Sequence, residues 1–537
     1  MPSVKSSQDD GIEGISNNSG CFRFCAAATV VSSPNNSHMQ ALWMRLMLIP
    51  FTSCCVRSAT AVVTIPNIAN RSVFARRNRN RWLYTLPDSQ RRDTHFCRSA
   101  APTCCESRIT PLFQKARTMI QLASTRIVFA SLLALLLIFA GTATADDVDT
   151  TVDWKVGVAS VDITPQQRLL MAGYAARKEP AMGTEQPLYG KALAIENRDG
   201  KRVVMVTLDL IGVTAELREQ VAQQVEQKYN VPAHALLLNA SHTHCGPRYN
   251  SEGAQEYFAI LTKKLVQAVG QAIDSRQPAE LAYGFARCSV AMNRRTPSDS
   301  GFLNHPNPNG PVDHTVPVLS VRNPEDQSLR AVLFGYACHN TTMGFRRWLG
   351  DYAGYAQEYF EKDHPGVTAL FMMGCGGDQN PYPRGELKYA KMHGRSLATA
   401  IEAAIETTQR TLRHQHPVRG SLNSILETVD LEFATPDRPD FAYPVQVIRF
   451  GNDLLLVALG NEVVVDYALR LKRELHREQG PAVWIAGYSN VYAGYVPSKR
   501  VLLEGGYEAR SRPWKPSLEE RIIGKVHELV DKLPAAE

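Results

Sequence analysis

The sequence predicts an α/β fold, a single large domain with a central mixed sheet flanked by helices. From Arg202 onward, apolar runs of strand length alternate with segments of helical spacing. The strands are continuously apolar, as in largely parallel or mixed sheets buried on both faces. Polar, glycine-containing motifs follow several of these runs directly, where α/β domains place their sites. No internal repeat, heptad run or low-complexity tract interrupts the pattern.

In chain order, Arg202–Ile211 reads as a buried strand and Thr214–Tyr229 as a helix. Ala235–His244 is the next strand and Ala254–Ile273 the next amphipathic helix. Asn293–Val316, rich in Pro, Asn and Ser, is expected to be a long irregular loop. Further strands are expected at Ala331–His339, Thr368–Met373, Val445–Phe450, Leu454–Leu459 and Ala482–Tyr488. Helices are expected at Asp351–Lys362, Glu386–Gln409, Val463–Arg477 and Leu518–Leu533.

The first 118 residues differ from the rest. They hold 15 Lys and Arg against six Asp and Glu, whereas 119–537 hold 44 against 46. The basic pI therefore belongs to this stretch and does not argue for nucleic-acid binding by the body. Seven of the eleven cysteines and the cluster Arg76, Arg77, Arg79 and Arg81 also lie here. Residues 119–145 have the parts of a secretory signal: Met119, Arg126, the apolar run Ile127–Ala140, and Ala143-Thr144-Ala145 before Asp146-Asp147. That run is short for a membrane span, which needs about 20 residues. Signals sit at N-termini, so 1–118 is read as an over-extended, disordered start. The expected domain is 146–537, exported to the periplasm or secreted.

Ser241-His242-Thr243-His244-Cys245-Gly246-Pro247 closes the second strand. Alternate residues of a strand share a face, so His242 and His244 are expected to project together. The pair suits a zinc site or a pair of core histidines. His339 ends a further strand, and three histidines at strand ends strengthen the metal reading. Glu462, in Gly460-Asn461-Glu462, is either a site carboxylate or a first-turn acid complementing a helix dipole. Asp378, in Gly374-Cys375-Gly376-Gly377-Asp378-Gln379-Asn380-Pro381, is either a site acid or an Asx-type turn residue, with glycines that admit a ligand to the backbone. The chain has no G-x-S-x-G elbow, phosphate loop, dinucleotide fingerprint or complete H-E-x-x-H.

From Val156 to Tyr507 these motifs resemble, in order, the N-terminal catalytic domain of the neutral/alkaline non-lysosomal ceramidases. The matching pieces include Gly157–Pro165, Met171–Ala175, Val206–Asp209, Ser241–Pro247, Asn293-Arg294, His339 with Gly350–Ala356, Gly460–Glu462, Asn490–Tyr495 and Glu504–Gly506. The resemblance implies a Zn2+ ion held by His242, His339, Glu462 and Tyr495. It places His244 and Arg294 beside the zinc-bound water and the substrate carbonyl. The expected reaction is hydrolysis of an amide (N-acyl) bond by attack of that water, with His244 passing a proton to the leaving amine and Arg294 stabilising oxyanion charge.

Asn380 stands where the family carries a serine, and an amide cannot act as that nucleophile. It could still donate a hydrogen bond, with Asp378 in the same loop. Leu503 replaces a family tyrosine, although Tyr507 lies nearby, and the family's C-terminal β-sandwich is expected to be absent. Cys245, Cys288, Cys338 and Cys375 are read as buried thiols or a disulfide rather than ligands. The expected partners are a small-molecule or lipid N-acyl substrate and at most a peripheral membrane contact, with no nucleic acid. Two other readings stay open: a same-fold zinc hydrolase of an ester or a sugar N-acyl group, and a non-catalytic exported binding protein.

Overall fold

The structure is a computed structural model and describes residues 152–406 and 415–533. The expected signal segment and the stretch before it lie outside the described residues. Those residues fall in one of two units of the chain, Ala116–Glu537. Among them, no helix is long and apolar enough to cross a membrane.

The α/β reading holds, and the main sheet is mixed. Eight strands run in the spatial order Thr368–Met373, Leu329–Tyr336, Thr315–Arg322, Gln277–Arg287, Trp154–Asp162, Tyr189–Asn197, Arg202–Leu208 and Leu236–Ala240. A ninth, Gln415–Val418, adds to Gln277–Arg287. Only the two outermost pairs are parallel: Thr368–Met373 on Leu329–Tyr336, and Arg202–Leu208 on Leu236–Ala240. A second sheet joins Leu422–Leu431, Phe441–Phe450, Leu454–Leu459 and Ala482–Ala486.

The two sheets share one apolar core. Trp154 meets Phe450 edge-on at 6.0 Å, and Tyr283 lies 6.3 Å from Trp484. Helices Gln255–Asp274, Asp351–Asp363 and Leu387–Ile405 pack on the main sheet, and Val465–Leu475 and Leu518–Lys532 on the second. The flanking helices are therefore as expected, but a second sheet faces the first. Its strands read as separate apolar runs, and nothing local says which sheet they join.

Strand ends fall short of the apolar runs. The Arg202 strand stops at Leu208, the Leu236 strand at Ala240 and the Leu329 strand at Tyr336. The segment 293–316 is not an irregular loop. Ala291–Ser298 and Gly301–Asn307 form a hairpin, and Gln379–Pro381 pairs with its inner edge, Asn293 opposite Gln379. The second hairpin strand is mostly exposed, so no buried face gives it an apolar alternation. The remaining part, Thr315–Arg322, is a central strand of the main sheet.

Candidate metal centre

The chain beyond each strand end turns sharply, and those turns bring the histidines together. His242 is not on a strand. It has φ +62°, a left-handed conformation unusual for a non-glycine residue. Asn461, Tyr488 and Asn490 share that conformation, at φ +65°, +49° and +62°. Such costly conformations persist where surrounding contacts over-determine them. The expectation that strand alternation aims His242 and His244 at one point is thus corrected: the turn aims them, and Nε2 of one lies 3.1 Å from Nε2 of the other.

Glu462 and Tyr495 arrive together because Glu462–Val463 and Tyr495–Val496 form a short parallel pair with Glu462 opposite Tyr495. Glu462 Oε2 lies 3.2 Å from Nε2 of His242 and 3.2 Å from Nε2 of His339. Tyr495 Oη is 3.3 Å from His339 Nε2, and its ring stacks on that imidazole. Nitrogens of His242, His244 and His339 lie within 4.8 Å of one another.

The tautomers follow from the hydrogen bonds. His242 Nδ1 faces the Ile211 carbonyl at 2.6 Å, and His339 Nδ1 faces the Gly376 carbonyl at 2.7 Å. A carbonyl only accepts, so each Nδ1 carries the proton and each Nε2 presents a lone pair. Glu462 Oε2 is buried and accepts no hydrogen bond, while Oε1 accepts one from the Tyr492 hydroxyl at 3.0 Å. Three electron-rich atoms therefore face one another in a buried space, an arrangement that needs a cation or protons among them. Ligand atoms around a tetrahedral zinc bonded at about 2.0 Å lie about 3.3 Å apart. The Glu462–His242, Glu462–His339 and Tyr495–His339 spacings match that figure, and the nitrogen and oxygen donors suit zinc.

Electrostatics agree. Burial alone would raise the Glu462 carboxyl, and positive charge on the facing His242 and His339 is what takes it well below the usual carboxylate range, so the carboxylate form depends on a cation or protons in this space. Burial, with Arg294 nearby, takes His339 down to about 4. Burial and the two neighbouring imidazoles hold His244 well below its ordinary value. Burial pushes the Tyr495 phenol up, opposed mainly by Arg294.

Arg294 is buried beside this cluster. Nη2 donates to Tyr495 Oη at 2.9 Å, Nη1 to Asn380 Oδ1 at 3.2 Å, and Nε to Glu508 Oε1 at 2.9 Å. Asn380 Oδ1 also accepts from Thr341 Oγ1 at 3.4 Å. Asp378 faces away from the histidines: Oδ1 accepts from the Val465 N–H at 2.9 Å and Oδ2 from Asn293 Nδ2 at 3.1 Å. Burial raises its carboxyl to about 6. Its bond to Val465 is not the local Asx turn the sequence suggested. The glycines before it do not cradle a ligand either. A Cβ on Gly377 would sit 2.8 Å from the carbonyl oxygens of Glu462 and Val463, so glycine is needed for two backbones to touch.

Leu503 points into solvent at 80 % exposure, and the ring near the site is that of Tyr507, 5.4 Å from Tyr495. The four cysteines are buried free thiols, and none joins the histidine group. Glu508, Tyr492, Tyr488 and Thr341 were not assigned roles from sequence. Tyr492 lies within the Asn490–Tyr495 motif, whereas Glu508, two residues after Gly506, has no local signal of burial. Gly173, at φ +95°, packs under His244: a Cβ there would lie 2.4 Å from its Cγ.

Residues 154–381 match the family model for neutral/alkaline non-lysosomal ceramidase, N-terminal. The match contains His242, His244, Arg294, His339, Asp378 and Asn380, and stops before Glu462 and Tyr495. The neutral ceramidase of Pseudomonas aeruginosa is 24% identical over 430 residues, covering 73% of this chain and 62% of that one. Neutral ceramidase A of Dictyostelium discoideum is 26% identical over 262 residues, 43% of this chain and 36% of its own. The chain thus spans less than two thirds of the length of either relative. The crystal structure of the Pseudomonas aeruginosa neutral ceramidase superposes with a TM-score of 0.60 at 19% identity, over 72% of this chain and 76% of that chain. The order of motifs, the family match over residues 154–381 and the shared fold all point the same way: this chain is similar to the neutral/alkaline non-lysosomal ceramidases.

Proposed function

We propose that the protein is a zinc-dependent hydrolase of amide (N-acyl) bonds, exported from the cytoplasm. The observation that carries the reading is the bare Glu462 Oε2 at 3.2 Å from two lone-pair nitrogens whose partner nitrogens are both anchored to carbonyls. His242, His339 and Glu462 would hold the ion, with Tyr495 as the fourth ligand. Bound there, zinc supplies Lewis-acid polarisation of a carbonyl and lowers the pKa of a water.

The chain's own groups supply the rest. His244 Nδ1 is buried without a partner, so no carbonyl anchors its tautomer and the imidazole is free to take and pass a proton. Arg294, fixed by Glu508 and Asn380, orients Tyr495 and places positive charge where an oxyanion would develop. Asn380 holds Arg294 through its carbonyl oxygen, which fits an attack by water rather than by a side-chain nucleophile at this position. Asp378 ties the Gly374–Asn380 loop to the helix starting at Val465, a positioning part. The relatives' printed name, neutral ceramidase, supports an N-acylated lipid as substrate.

Elemental analysis of the purified protein should find about one zinc per chain, and His242→Ala and Glu462→Ala should each lose it. A folded protein that takes up no zinc when zinc is supplied would sink the mechanism. Export rests on the signal pattern at 119–145. N-terminal sequencing of the protein recovered from outside the cytoplasm should begin at Asp146; recovery of residues 1–118 on that protein would overturn this part.

A further inference from the structure

A pocket of about 510 Å³ opens beside the histidine cluster, within the range of small-molecule sites. Two of its walls touch the proposed machinery. Thr341 donates to Asn380, and the Tyr174 ring meets His244 edge-on at 4.8 Å. Met343 lines it as well, so one wall is apolar.

The charge of this pocket is one-sided. Arg384 is exposed on its rim and has no ion-pair partner among the described residues. Arg177 also lines the pocket, and its guanidinium donates to neutral acceptors, among them the carbonyls of Ala172, His244 and Phe345 and the Met171 sulfur. No Asp or Glu lines the pocket among the described residues. Buried Asp351, behind Tyr174, is turned to the backbone N–H groups of Met343 and Tyr352, and Glu386 pairs with Lys388 at 2.8 Å. The Arg177 guanidinium is committed to these backbone carbonyls, so Arg384 is the charge offered to the cavity with no carboxylate among the described lining residues to answer it, and such a cavity draws an anion.

We propose that this pocket binds an anionic group of the substrate, a carboxylate or a phosphate ester carried close to the amide that is cut, with Arg384 as its partner. The inference rests on the amide-hydrolase reading and narrows it: the preferred substrate is an acidic N-acyl compound rather than a neutral one. A charge-assisted hydrogen bond of this kind favours the anionic substrate by about 10- to 100-fold.

The test uses N-octanoylglycine, O-phospho-N-octanoylethanolamine and neutral N-octanoylethanolamine, with wild type, Arg384→Ala and Arg384→Lys. Amine release gives kcat/KM, and calorimetry gives binding. In the wild type at least one anionic compound should exceed the neutral one by about 10- to 100-fold, and which one does so separates carboxylate from phosphate. Arg384→Ala should bring that ratio close to one, and Arg384→Lys should keep part of it. Being a ratio within one protein, it is insensitive to the folded fraction. A wild-type ratio at or below one, or a ratio unchanged in Arg384→Ala, overturns the inference even if all three compounds are hydrolysed. If none is hydrolysed, anion-selective binding that Arg384→Ala removes keeps the pocket and sinks the amide-hydrolase reading. Binding without selectivity, or no binding, sinks the pocket.

Discussion

Replacing His244 by alanine is expected to lower amide hydrolysis by about two to four orders of magnitude while the zinc content stays at the wild-type value. All three imidazoles lie close enough to share one ion, so proximity alone does not separate ligand from acid–base group. Their outer hydrogen bonds do. His242 and His339 each have Nδ1 fixed by a carbonyl, the usual support of a metal-bound imidazole, and both face Glu462 Oε2. His244 has neither feature; its Nδ1 has no partner and its ring rests on Tyr174. Elemental analysis and initial rates on the same preparation decide the matter. Loss of zinc in His244→Ala would make all three histidines ligands and leave the proton-transfer role without a candidate.

The second large effect is on stability. Glu508→Ala should destabilise the protein by about 3–5 kcal/mol, read from denaturant unfolding. Glu508 is buried, with Oε1 2.9 Å from Arg294 Nε and Oε2 2.5 Å from Arg295 Nη1. Removing it leaves Arg294 buried with only neutral partners, Asn380 and Tyr495. Arg295 keeps Glu504 at 3.0 Å. Glu504→Ala is the control: that carboxylate is partly exposed, and its loss should cost about 1 kcal/mol or less. Equal costs for the two variants would show that burial of the Arg294 charge is not what Glu508 offsets. Glu508→Ala should also slow catalysis, because Arg294 loses the anchor that aims it at Tyr495.

Much of the fold was legible locally. Thr368–Met373 and Leu454–Leu459 have the bounds their apolar runs suggested, and the helix expected from Thr214 begins at Ala215 with Thr214 as its cap. The hairpin at Ala291–Asn307 was not legible, because its second strand is largely exposed and its inner edge is completed by Gln379–Pro381, far along the chain. Strand ends were overrun at Ala240 and Tyr336, since the chain there stays buried, polar residues included, but is no longer extended.

The same division runs through the site. Sequence by itself determined which residue types were available and where each follows an apolar run: His242, His244, His339 and Glu462 stand out by type and position, and the motif order carried Tyr495 and Arg294. Only the tertiary structure decided their relations. The parallel pairing of Glu462 with Tyr495, the left-handed turn at His242, the backward-facing Asp378 and the burial of Glu508 all depend on segments tens to hundreds of residues apart. Residue type and periodicity report how one segment meets water or a neighbour on its own turn. Where a carboxylate points once buried is set by donors that other strands bring to it, and no single segment encodes that.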